Sequence, residues 1–192
     1  MKRANHLYDQ ISTHENLHLA FRKAAKGKQS HAEVVQFKKQ FDANIQSLRE
    51  QLINGAPDIG HYHFFTVRDP KVRNICAASF PERILHHAIM NLCEPYLDAY
   101  AIHDSYACRK GKGNRRALVR VQEFARKYPW YLKLDIARYF DSIDHEIAMR
   151  LLSRQFKEKK LLKLFAAGSH ALRGNRRRTL RVRMGWLMLS SI

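Results

Sequence analysis

The chain has 192 residues, 45% of them hydrophobic, and carries 35 lysines and arginines against 17 acids, a formal charge of +18. That length and apolar content suffice for one folded domain and exclude a disordered polyelectrolyte. The excess is concentrated after residue 96, where 22 basic side chains stand against 8 acidic ones, compared with 13 and 9 before it; such a field suits a polyanionic partner, nucleic acid ahead of an acidic membrane surface.

Cys76, Cys93 and Cys108 are odd in number and not closely paired, which argues for a reducing compartment and against a disulfide framework or a zinc site. MKRANHLYDQ at the N-terminus lacks the apolar core of a signal peptide. No run approaches the roughly 20 apolar residues that span a bilayer. The expectation is a cytoplasmic protein without a membrane partner.

In chain order, residues 1–25 are weakly helical and KAAKGKQ breaks the chain around Gly27. A helix is expected next, with Ser30 and Glu33 in capping-box spacing and Val34, Phe37, Phe41, Ile45, Leu48 and Leu52 on one face; Asn54-Gly55 ends it with a left-handed cap. Residues 61–77, HYHFFTVRDPKVRNICA, predict a β-hairpin turning near Arg68–Lys71, with Arg68, Lys71 and Arg73 at its tip. His61 and His63 lack a third ligand and are not read as a metal site.

Ser79 to Glu82 repeats the capping-box spacing, and Ile84, Leu85, Ala88, Ile89 and Leu92 form a helical face that Pro95 is expected to end. His86 and His87 beside that face read as packing or surface residues. The segment 103–116, HDSYACRKGKGNRR, crowds Arg109, Lys110, Lys112, Arg115 and Arg116 around Tyr106, with Gly111 and Gly113 breaking regular structure. Cations mixed with an aromatic on pliant backbone suit a nucleic-acid strand, through phosphate and stacking contacts. The phosphate-binding GxxxxGK[ST] spacing is absent. A helix follows from Asn114 to Arg126 through Ala117, Leu118, Val121 and Phe124.

Trp130 to Leu134 reads as a short buried strand that delivers Asp135 to its tip, followed by Phe140 and the acidic cluster Asp141, Ser142 and Asp144. The residues alone leave Asp135 open between ending a strand and holding a hard cation near a phosphate. A helix from Asp144 to about residue 156 is expected to turn Ile147, Leu151 and Leu152 inward, and a shorter one spans roughly 158–167.

The succession FFTVRDPKVRNICAASFPERILHHAI, DSYACRKGKGNRRAL and YLKLDIARYFDSIDHEI resembles the fingers and first palm motif of bacterial reverse transcriptases. The likeness is to the group II intron, retron and diversity-generating-element branch of RNA-directed DNA polymerases, over roughly residues 60–165. It implies an α+β fold, a right-hand polymerase fingers and partial palm, helix-rich with a β-hairpin fingers tip and incomplete at the C-terminus. The corresponding divisions are an N-terminal helical region, 1–57, fingers and first part of the palm, 58–166, and an Arg-rich tail, 167–192.

The same resemblance implies roles. Asp135 matches the first catalytic aspartate, holding Mg²⁺ with help from the Ile136 carbonyl. Lys71 and Arg73 match the cations that contact the triphosphate, and Phe140 the bulky residue beneath the incoming sugar. Tyr106, Arg109, Lys110, Lys112 and Arg115 fall on the loop that touches the template. The implied partners are an RNA template, a DNA primer or RNA–DNA hybrid, and dNTP. The family's chemistry uses two metal ions and further carboxylates from a YxDD hairpin. This sequence contains neither YxDD nor the GxxxSQ stretch, so the chain alone is expected to be inactive. From about Ala167 the text has six arginines between Arg173 and Arg183 and no clean period, which suggests a shifted frame or a disordered basic tail. The competing readings are a non-catalytic basic RNA- or DNA-binding module, and a nuclease using Asp135 with Asp141 and Asp144, acids better explained as helix-start residues.

Overall fold

A computed structural model describes residues 3–107, 109–136, 139 and 143–173. The element order is α1 (Tyr8–Ile11), α2 (His14–Ala25), α3 (Ala32–Lys39), α4 (Phe41–Ile53), β1 (Tyr62–Asp69), β2 (Lys71–Ala78), α5 (Phe80–Tyr100), α6 (Asn114–Lys127), α7 (His145–Gln155) and α8 (Lys159–Arg173). The described residues are thus helix-rich with a two-stranded antiparallel sheet, compatible with α+β.

Local signals place most of these boundaries. Thr13 caps α2 by accepting from the Asn16 N–H. Gly55 takes a left-handed φ of 68°. Its N–H donates to Leu52 O and that of Ala56 to Gln51 O, which satisfies two end carbonyls of α4. The helix expected over residues 30–52 is two helices. Gln40, at φ −130° and ψ 47°, separates α3 from α4. The bend lets Phe37 and Phe41 both close on Phe21, at centroid distances of 5.7 and 4.7 Å. Ser30 and Glu33 make no capping box, because His31 is the cap residue and Glu33 pairs with Arg83 at 2.7 Å.

α5 runs straight through Pro95, where an end was expected. An interior proline costs a helix about 3 kcal/mol. Packing supplies the compensation: Ile84, Leu85, Ala88, Ile89 and Cys93 are buried, and α2 lies along this helix. Asn16, itself buried, donates to the carbonyls of Ile11 and Ala88, both at 3.0 Å, and so stitches α2 to α5.

The core is one cluster reaching from Ala4 through α1–α5 to Phe156, Leu161, Leu164 and Phe165. The N-terminus closes it. Ala4 pairs in parallel with Phe156, its N–H donating to Gln155 O at 2.7 Å and its carbonyl accepting from Lys157 N–H at 2.8 Å. Glu158 then accepts from the N–H groups of Leu7 and Tyr8, at 2.9 and 3.0 Å, satisfying donors at the start of α1.

Three other expectations are corrected. Residues 130–134 form no strand, and Trp130, Tyr131, Leu132 and Leu134 are 80–93% exposed. A strand forms only with a neighbour for its N–H and C=O groups, and the one sheet among the described residues is the β1–β2 hairpin. Ile147 and Leu151 are exposed; Leu152, with Met149, packs on the core. α8 continues past residue 167 to Arg173. Residues 174–192, most of the Arg-rich tail, lie outside the described residues, as do Cys108, Phe140, Asp141 and Ser142.

Candidate nucleic-acid interface

The hairpin forms where its sequence predicts, with Asp69 opposite Lys71 and Pro70 at the tip. Both candidate triphosphate contacts therefore stand at or near that tip on β2, Lys71 at its start and Arg73 opposite Val67. The base is anchored: Ser79 N–H donates to His61 O at 2.9 Å, and Gly60 N–H donates to the buried Glu82 carboxylate at 3.1 Å. Burial by itself pushes the Glu82 carboxyl up. The nearby His86, the hydrogen bond from the Gly60 N–H and the Tyr62 hydroxyl together outweigh it and hold the carboxyl below the ordinary glutamate value. The residue read as a capping partner is thus the fastening of the hairpin to α5.

The basic loop between α5 and α6 divides into fastened and outward-facing cations. Arg109 is fastened, its Nε donating to Asp98 Oδ1 at 2.5 Å, its Nη1 to Ile102 O at 2.8 Å and its Nη2 to Asp98 O at 3.1 Å. These contacts close the C-terminal end of α5. Lys112 donates to His103 O and lies 5.1 Å above the Tyr106 ring, so one face of that ring is covered. The Tyr106 hydroxyl donates to Asp104 at 3.0 Å, and Arg120 of α6 donates to the same carboxylate. Arg120 and Tyr106 hold Asp104 down to about 2.

Lys110, Arg115 and Arg116 are exposed and make no hydrogen bond or ion pair among the described residues. Arg115 and Arg116 occupy the first turn of α6, which contains no acid, behind a Gly113 cap residue at φ 101° with no side-chain cap. The positive end of the helix dipole and unsatisfied N–H groups add to these charges. The arrangement suits a phosphate. Of the six loop residues singled out from sequence, Lys110, Arg115 and Arg116 face solvent, while Tyr106, Arg109 and Lys112 are engaged within the loop.

Asp135 and Ile136 lie in the exposed, irregular segment after α6. Asp144 caps α7, accepting from the N–H groups of Glu146 and Ile147 at 2.7 and 3.0 Å. Among the described residues no three His, Cys, Asp or Glu side chains gather closely enough to hold a metal ion. The described residues therefore do not fit a pair of magnesium ions. Burial pushes Cys76 up to about 11 and Cys93 up to about 12, which disfavours the reactive thiolate at both. No described helix is long and apolar enough to cross a membrane.

No protein-family model matches the chain. The chain is similar to nuclear intron maturase 1, mitochondrial, of Arabidopsis thaliana, at 26% identity over 97 residues, which are 49% of this chain and 14% of that protein. The chain thus spans a small part of its relative's length. The similarity supports a coarse relation to reverse-transcriptase-like proteins.

Proposed function

We propose that the chain is an RNA-binding piece of a reverse-transcriptase-related protein, with an intron RNA as its partner. The observation that carries this is the group Lys110, Arg115 and Arg116, outward at the uncapped start of α6 in a half-chain of strongly positive balance. The relative's name, an intron maturase, agrees in kind. In this reading phosphates lie across the start of α6, and Arg109, Lys112 and Tyr106 shape the loop that presents it.

Template-directed DNA synthesis belongs to the parent protein in this proposal. Asp135 is its first carboxylate, Lys71 and Arg73 its triphosphate contacts, Phe140 its sugar contact and Mg²⁺ its cofactor, with a DNA primer and dNTP as further partners and the cytoplasm as the compartment. The chain alone supplies too few carboxylates for that chemistry.

The test is binding of the full chain to a structured intron RNA across a salt series, together with primer extension in Mg²⁺ and dNTP. Tight binding that weakens linearly with log salt is expected, and Lys110→Ala/Arg115→Ala/Arg116→Ala should flatten the slope by about 2–3 units. Unchanged binding by that triple variant would refute the interface. No primer extension is expected, and clear extension would refute the assignment of activity to the parent alone.

A further inference from the structure

From Arg22 to His31, the end of α2 and the turn after it, the chain carries Arg22, Lys23, Lys26 and Lys28 and no acid. α2 packs along α5, where Arg83, His87 and Asn91, spaced by four residues, share one face. The two helices meet at Asn91, whose Oδ1 accepts from Lys23 Nζ at 2.6 Å and whose Nδ2 donates to Asn16 Oδ1 at 2.8 Å. Asn16 is itself tied to the carbonyls of Ile11 and Ala88. The Lys23 ammonium is therefore held against α5. Lys28 sits in the turn, its N–H donating to Ala25 O at 3.0 Å, close enough to His87 to act on it.

His87 is half-buried and makes no hydrogen bond among the described residues. The groups that act on it are all basic: Lys23 from α2, Lys28 from the turn, Arg83 and His86 from α5. Two acids stand near. Glu33 of α3 pairs with Arg83 at 2.7 Å, and Glu82 lies 3.7 Å from His86. Neither lysine has an ion pair among the described residues. Like charges gathered around a half-buried ring repel, a strain that an anion seated among them offsets. Donors reach the place from three segments, which matches a tetrahedral oxyanion with several acceptor oxygens.

We propose that Lys23, Lys28, Arg83 and His87 form a site for a phosphate group between the end of α2 and α5. The neutral imidazole offers one N–H to the ligand, and protonation adds a charge. An anion there favours the protonated ring, so it raises the His87 value from about 4 and binds more tightly as pH falls. The site shares no residue with the start of α6 and stands or falls separately from that interface.

The experiment follows the His87 ring protons of the full chain by NMR through a pH series, in inorganic phosphate and in chloride at matched ionic strength, with His87→Asn identifying the signal. Phosphate should shift the titration to higher pH and chloride should not. Lys23→Ala and Lys28→Ala, changes at the surface that leave the helical circular dichroism intact, should each weaken phosphate binding about tenfold. A short RNA strand added in place of phosphate separates the sources. The same shift, kept in Lys110→Ala/Arg115→Ala/Arg116→Ala, supports the site with an RNA backbone as ligand; a shift with inorganic phosphate alone supports it with free phosphate. Identical titration of His87 in chloride, phosphate and RNA overturns the proposal, as does a shift that survives Lys23→Ala/Lys28→Ala.

Discussion

Asp98 and Arg109 form a clasp across the end of α5: the guanidinium donates to both the carboxylate and the carbonyl of Asp98, and also reaches Ile102 O. The side chain that motif reasoning assigns to an RNA strand is bound within the protein at every one of these donors.

Arg109→Ala should therefore loosen residues 101–113 rather than act as a simple loss of one phosphate contact. Amide exchange in that loop is expected to speed up, and limited proteolysis should find a new site there, with the helices unaffected. Arg109→Lys should rescue poorly, because a point charge cannot make the forked contacts. The hydrogen bond from Arg109 holds Asp98 below the usual aspartate value, so the clasp is intact at neutral pH and weakens as acid titrates that carboxylate.

Glu82 gives a second acid-sensitive fastening. Its folded value is depressed, so its contribution is fully present above the ordinary glutamate value of about 4.3 and is lost as pH falls through the folded value. Glu82→Gln should keep an acceptor for Gly60 yet show a shallower loss of stability below about pH 4.3. Glu82→Ala, leaving the Gly60 N–H without its acceptor, should cost about 1–3 kcal/mol at pH 7 in urea titration.

His87 acts in a different window. Burial, helped by Lys23, His86, Lys28 and Arg83, pushes it down to about 4. The folded state thus resists its protonation, and stability should decline as pH falls from about 6.5 toward 4. His87→Asn is expected to flatten that part of the profile, read from midpoints of thermal unfolding at a series of pH values.

Phe156 joins the start of the chain to α8. It is fully buried, its backbone pairs with Ala4, and its ring lies 5.7 Å from that of Phe165. Phe156→Ala should destabilise by about 3–5 kcal/mol through lost burial and the cavity left behind. Circular dichroism during urea unfolding measures it directly.

The features legible in the sequence were those whose cause lies within a few residues. Asp144 starts α7 as its type and place predict, Gly55 ends α4 in the left-handed region, and the hairpin turns at Pro70. What escaped depends on distant partners. Pro95 stays inside α5 because α2 packs along that helix. Glu82 abandons its cap because Gly60 and His86 are nearer claimants. Trp130–Leu134 has strand composition but finds no neighbouring strand among the described residues. In the candidate interface the charge and its loop were readable; the division between cations that hold the loop and cations that face outward was not, because it rests on carbonyls and carboxylates brought close by folding.

The pairing of Ala4 with Phe156, and of Glu158 with the start of α1, sets an order of events during synthesis. The first helices leave the ribosome early but meet their closing partners only after some 150 further residues have been made. Until then Leu7, Tyr8 and Ile11 have no finished core to enter, which exposes the nascent chain to chaperones and to its neighbours on the same message. A translational pause before residue 156 would lengthen that interval, and a stop there would leave a chain whose beginning has nothing to close against.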